Sequence, residues 1–140
     1  MAKRFQALLR GSEEAPPVTT NATGNIHFRL SEDGQLLEYR LVVNQLRKLT
    51  QAHILMGAKG ANGLVLVTLF GPVSHGISVN RGVVTGAITQ HDLVGPLLGR
   101  TFAELVRLMN DGMTYVDAHT TQNPNGEIRG QIRCTDSRRR

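Results

Sequence analysis

A chain of 140 residues suits one domain that buries about two-thirds of the surface its unfolded form exposes, with no need of a metal or disulfide to fold. Apolar residues make up 40% and charged residues 19% of it, which excludes a disordered composition, and no run approaches the ~20 apolar residues of a membrane-spanning helix. The formal charge of +5 and pI near 10.1 invite a nucleic-acid reading, yet the cations are scattered from Arg4 to Arg133, only Arg138, Arg139 and Arg140 form a run, and aromatics are too sparse for base stacking. No nucleic-acid partner is expected, and residues 135–140 read as a basic tail behind a single domain at 1–134.

The first segment, Phe5 to Leu9, alternates with Phe5, Ala7 and Leu9 on one face, the pattern of a half-buried strand. Glu13 to Thr23 is a loop, whose Pro16-Pro17 pair cannot donate ladder hydrogen bonds and so runs extended over an edge or an end of the sheet. Alternation resumes at Ile26, Phe28 and Leu30, which sends His27 to solvent. Ser31-Glu32-Asp33-Gly34 then turns the chain back through Leu37, Tyr39, Leu41 and Val43.

Asn44 to Thr50 looks like a turn, followed by the short strand Gln51 to Met56 and a glycine-rich turn from Gly57 to Gly63. That turn lacks G-K-[ST] and precedes a strand, so Lys59 does not make it a phosphate loop. Leu64 to Phe70 is a continuous apolar run, read as a central strand covered on both faces. A long loop from Gly71 to Gly82 leads to the strand Val83 to Ile88. One helix is expected near residues 102–111: Thr101 and Glu104 have capping-box spacing, Phe102, Leu105, Val106 and Met109 share a face, and Gly112 stops it.

The last hairpin joins Thr114–His119 to Glu127–Ile132 through Asn123-Pro124-Asn125-Gly126. Its first strand puts Tyr115, Asp117 and His119 on one face, and its second sets Ile128, Gly130 and Ile132 inward against Glu127, Arg129 and Gln131. Asp117 or Glu127 facing Arg129 across strands reads as an ordinary ion pair of ~0.2–1 kcal/mol or, if buried, as a device shaping the domain's end. The pattern as a whole is all-β: a Greek-key β-sandwich or flattened barrel of about eight strands.

These segments resemble the chordin-type (CHRD) domain from Phe5 to Ile132. The likeness is carried by Gly11-Ser12-Glu13-Glu14-Ala15-Pro16-Pro17-Val18, Ala22-Thr23-Gly24, Gln51-Ala52-His53-Ile54, Gly86-Ala87-Ile88-Thr89, Tyr115-Val116-Asp117-Ala118-His119-Thr120 and Asn123 through Ile132. The family is named for a vertebrate extracellular protein that sequesters growth factors, and a bacterial-type single-domain member is what this chain resembles. The resemblance implies a sandwich similar to that of copper/zinc superoxide dismutases.

Family members carry Ala-His-Ile-His where this chain has Ala52-His53-Ile54-Leu55. Two histidines one residue apart point to the same side of a strand and can grip one ion; here Leu55 stands at the second position. His53 and His119, with Asp117 on the same face, remain as a candidate set for copper, zinc or iron. The alternative is that both histidines cap the sheet's end and hydrogen-bond loop carbonyls. His75 and His91 fall in turns and read as solvated; His91-Asp92 has no activated serine or cysteine to serve. The unpaired Cys134, near the C-terminus, excludes an internal disulfide.

No catalytic constellation is complete, so the expected function is a non-enzymatic binding or structural module, with a protein partner or self-association as a homo-oligomer. The alternative is a metal-binding, possibly redox, protein. Met1-Ala2-Lys3-Arg4-Phe5 leads directly into the first strand, so the compartment stays open between a protein made without a secretion signal and a mature domain whose signal has been removed.

Overall fold

The computed structural model describes residues 3–135. In chain order its elements are β1 (Lys3–Arg10), β2 (Thr23–Leu30), β3 (Leu37–Met56), β4 (Val65–Phe70), β5 (Ile77–Ile88), α1 (Phe102–Asn110), β6 (Thr114–Thr120), β7 (Ile128–Gln131) and β8 (Arg133–Cys134). The basic run Arg138–Arg140 lies outside the described residues.

Period-two burial holds where the sequence alternates. Phe5, Ala7 and Leu9 of β1 and Ile26 and Phe28 of β2 are buried while His27 is exposed, and β1, β2 and the start of β3 pair antiparallel in unbroken register. The order β2-β1-β7-β6-β3, with β2 also paired to β3, closes these strands into a barrel. Its core holds Phe5, Phe28, Leu41, Leu46, Ile54, Val116 and Ile132, each such side chain contributing ~1.5–3 kcal/mol by leaving water.

Closure depends on β3, which is longer than its sequence suggests. The turn expected at Asn44–Thr50 is instead a bend within a single 20-residue strand. Gln45 and Lys48 have φ of 56° and 57°, and the register slips between Leu46 and Leu49, so the strand changes direction without reversing. Its first half lies between β2 and β5, its second half between β6 and β4.

Two further expectations are corrected. The loop expected from Gly71 to Gly82 ends at Gly76, because Ile77 and Val79 already pair with Leu49 and Leu46. The apolar run read as a central strand is β4, at the end of the sheet order, with Thr68 exposed and Leu64 65% exposed. Its apolar character comes from Leu66, Val67 and Leu69, which face the core, while Val94 N–H donates to the Leu66 carbonyl and covers part of its outer edge.

The helix forms as its signals require. Thr101 and Glu104 make the capping box, with the Thr101 N–H donating to the Glu104 carboxylate at 3.4 Å, and Phe102, Leu105 and Met109 are buried. No helix among the described residues is long and apolar enough to cross a membrane.

Candidate functional site

The second half of β3 and strands β6 and β7 form a sheet whose inner face, Ala52, Ile54, Val116, Ala118 and Ile128, belongs to the core. Its outer face carries the polar residues. Register puts His53 opposite Asp117, Asp117 opposite Arg129, Leu55 opposite Tyr115 and Gln51 opposite His119. Such a face is normally wet, but here the loops at 11–18, 57–63 and 123–126 lie over it, leaving Asp117 3%, His53 7% and Arg129 1% exposed.

Arg129 holds the roof. Its guanidinium donates to the carbonyls of Ala58 (3.0 Å) and Ala61 (2.7 Å) and to Asn62 Oδ1 (3.2 Å), and it lies 3.5 Å from the centre of the Tyr115 ring. Asn62 Nδ2 in turn donates to the Ala15 carbonyl, tying the 57–63 loop to the 11–18 loop. Glu127 anchors the third loop by accepting from Thr20 (2.7 Å), Thr120 (2.9 Å) and Asn123 (3.1 Å). The cross-strand ion pair expected of Arg129 with Asp117 or Glu127 gives way to this roof: three acceptors converge on the buried guanidinium, and Glu127 is taken up by its own three donors.

Asp117 turns to Glu14 instead. The two carboxyl groups meet beneath Gly126, where any Cβ would collide with both. Burial first, then the neighbouring Glu14, push the Asp117 carboxyl up to about 10, and burial raises Glu14 as well. Asp117 therefore keeps its proton at neutral pH, where it can bridge to Glu14, and the Arg129 cation acts on both carboxyls in the opposite, lowering sense.

His53 and His119 complete the cluster, their rings edge to face with centres 5.2 Å apart. His119 Nε2 lies 3.9 Å from Asp117 Oδ2, too far for a hydrogen bond. Burial, then the neighbouring His119, lower His53 to about 4; burial also lowers His119, partly offset by the Pro124 carbonyl, with which no aligned hydrogen bond forms. Both rings are neutral near pH 7. His53 Nδ1, both His119 nitrogens, Asp117 Oδ1 and Glu14 Oε2 are buried without a hydrogen-bond partner beyond the shared proton of the carboxyl pair.

Leu55, 7% exposed, forms the apolar wall of an open cleft of about 420 Å3 beside His119, Asp117, Tyr115 and Asn125. The structure thus brings together His53, His119 and Asp117. Among the described residues, no three His, Cys, Asp or Glu side chains stand at metal-ligating geometry. Glu14 is the member the strand pattern misses, since a loop carboxylate has no periodicity; its one signal is the Glu13-Glu14-Ala15-Pro16 block. His75 and His91 are exposed, and Asp92 accepts from the Thr89 N–H rather than orienting His91.

The pattern carried by this face is that of a known domain: the CHRD domain matches residues 5–132. The chain belongs to the CHRD domain family. It is also 34% identical over 125 residues to chordin of Danio rerio, a match covering 89% of this chain and 12% of chordin's length. No solved structure matches it significantly.

A second surface of this CHRD domain stands apart from the polar face. Among the described residues β5 pairs with β3 alone, so one whole edge of a 12-residue strand has no partner. Ile77 and Val83 on it are 45% and 46% exposed.

The carboxyl pair gives the domain a distinctive pH response. Asp117 keeps in the folded state a proton that the unfolded chain releases near pH 3.8, so its stabilising contribution is complete below that pH and is lost as pH rises toward about 10. His53 works in the opposite sense: its contribution is present above pH 6.5 and is lost as pH falls toward about 4. From neutral pH upward the carboxyl effect is therefore the one that acts. The melting temperature of the wild type is expected to fall between neutral pH and pH 9.5, and Asp117→Asn, whose amide can still donate to Glu14, to flatten that fall. An equally steep fall in the variant would contradict the shared proton.

Proposed function

We propose that this CHRD domain is a non-enzymatic protein-interaction module that takes an extended segment of a partner as an added strand along β5. The observation that carries this reading is the unpaired edge of β5. A row of free N–H and C=O groups is a template for another strand unless it is short, bulged or covered, and β5 is long, bears exposed Ile77 and Val83, and pairs on one side only. Membership of a family named for chordin supports a binding role at the coarse level.

The test uses proline at Val83 and, separately, at Val84. Successive residues of an antiparallel strand aim their N–H groups to opposite sides, so one proline removes only an outward donor and the other breaks the ladder to β3. Binding of a peptide of alternating valine, threonine and serine is followed by fluorescence anisotropy. Loss of binding in the variant whose melting temperature matches the wild type supports the edge; retention in that variant overturns it.

A second reading is favoured by a different observation, the unpartnered buried nitrogens and carboxylate oxygens of His53, His119, Asp117 and Glu14. Neutral imidazoles and carboxylates are the donor chemistry of a copper, zinc or iron site, and a bound cation would displace the proton the carboxyls share. Elemental mass spectrometry after purification without an affinity tag, comparing wild type with His53→Ala/His119→Ala, tests it. Near-stoichiometric metal lost in the double variant supports this reading, and a metal-free folded wild type removes it.

A further inference from the structure

The net charge of this chain is not spread over it. Residues 39–91 contain no aspartate or glutamate and five cations, Arg40, Arg47, Lys48, Lys59 and Arg81, so the whole charge of +5 resides there and the cations and acids of the remaining sequence cancel. Lys59 meets Glu13 at 3.8 Å beside Leu8 and Arg10 of β1 and Gln131 of β7. The other four lie on one ribbon, the first half of β3 with β5.

Their placement follows the free edge. Arg81 is exposed on β5 itself, and Arg40 is directly opposite Thr85. Arg47 and Lys48 stand at the bend of β3, where positive φ at Gln45 and Lys48 turns the chain outward, and with Ser78, Val79 and Asn80 they line a cleft of about 450 Å3 at the start of β5. The Lys48 N–H donates to Ser78 Oγ at 3.1 Å and fixes that bend against the strand. Among the described residues none of the four cations has a carboxylate partner; the acid at the ribbon's far end, Glu38, is matched by Arg29 at 3.9 Å.

We propose that the β5 edge receives an extended acidic segment of another protein, its backbone adding the next strand and its carboxylates meeting Arg47, Lys48 and Arg81. The inference rests on the edge reading above and adds the chemistry of the occupant. A second copy of the same ribbon would bring two sets of cations together, and the ribbon's one acid, Glu38, is already matched by Arg29, which disfavours self-pairing. A nucleic acid would find charge but no stacking platform, because Tyr39 and Phe70, the aromatics of this segment, pack against the core. It would also leave the strand edge's alternating donors and acceptors unmatched.

The experiment compares three peptides as long as β5, with valine or threonine alternating with glutamate, serine or lysine. Affinity is read by fluorescence anisotropy at low and high salt, and position by hydrogen exchange of the β5 amides. The glutamate peptide is expected to bind most tightly, to slow exchange in residues 77–88, and to lose affinity as salt rises. Reversing Arg47, Lys48 and Arg81 to glutamate is expected to weaken it at least about tenfold while leaving the serine peptide unaffected. All three side chains are exposed, so the variant should melt as the wild type does.

Equal affinity for the glutamate and serine peptides, both protecting β5, would overturn the acidic occupant and leave the edge reading standing. No protection of β5 by any peptide would overturn both. Protection that grows with protein concentration and without peptide would make the occupant a second copy. Single-stranded DNA displacing the glutamate peptide at equal charge concentration would make it a nucleic acid.

Discussion

Arg129→Ala is expected to cost about 3–5 kcal/mol of stability, the range for removing one partner of a buried charge system. Arg129 is 1% exposed and is both the counter-charge of the Glu14–Asp117 pair and the donor that closes the 57–63 loop over the sheet. Without it the Ala61 carbonyl loses its donor and that of Ala58 keeps only the Ala61 N–H, the face of Tyr115 is bared, and the buried carboxyl pair has no cation beside it. Arg129→Lys separates these effects: it keeps the charge but not the planar fork, so it should fall between the wild type and alanine. Urea denaturation of the three proteins checks the order. A lysine variant as unstable as alanine would show that the fork, rather than the charge, is what the site needs.

Gly130→Ala is expected to be nearly as damaging, at about 3 kcal/mol, the upper part of the range for overpacking. A Cβ at this position would overlap the Leu8 carbonyl oxygen, so β7 and β1 could not keep their approach. That approach closes the barrel, since the ladder between the two strands is a single bridge, Arg10 to Arg129. A backbone carbonyl cannot swing aside as a long side chain can. Thermal unfolding measures the loss, and a variant within about 1 kcal/mol of wild type would mean that β1 and β7 can part freely and that their close approach does not hold the barrel shut.

The strands that follow strict alternation were legible from sequence, because one face of each meets the core: Phe5-Ala7-Leu9 and Ile26-Phe28-Leu30 are the clear cases. The helix was legible from Thr101 and Glu104. The continuity of β3 was hidden because Asn44, Gln45, Arg47 and Lys48 have turn-like polarity, and only the left-handed backbone at Gln45 and Lys48 lets them bend a strand rather than end it. The start of β5 was hidden for the opposite reason. Ile77-Ser78-Val79-Asn80 does alternate, but an edge strand exposed on one side reads much like a loop.

At the polar face, period two was enough to align Asp117 with His119, and the hairpin to bring Arg129 opposite Asp117. Nothing in the spacing required the loops to bury them, and Glu14 enters the cluster only through that burial. The charge asymmetry was present in the sequence all along, but the acid-free stretch acquires its meaning only once β3 and β5 are seen to be neighbours with one edge free.

If β5 offers its outer edge to an extended partner segment, residue-resolved hydrogen exchange of the folded protein will show it. In the free protein the amides of residues 77–88 should alternate, the set bonded to β3 slow and the outward set fast, and the glutamate-bearing peptide should slow the outward set. Outward amides already protected in dilute free protein, or left fast when the peptide is bound, would contradict the account.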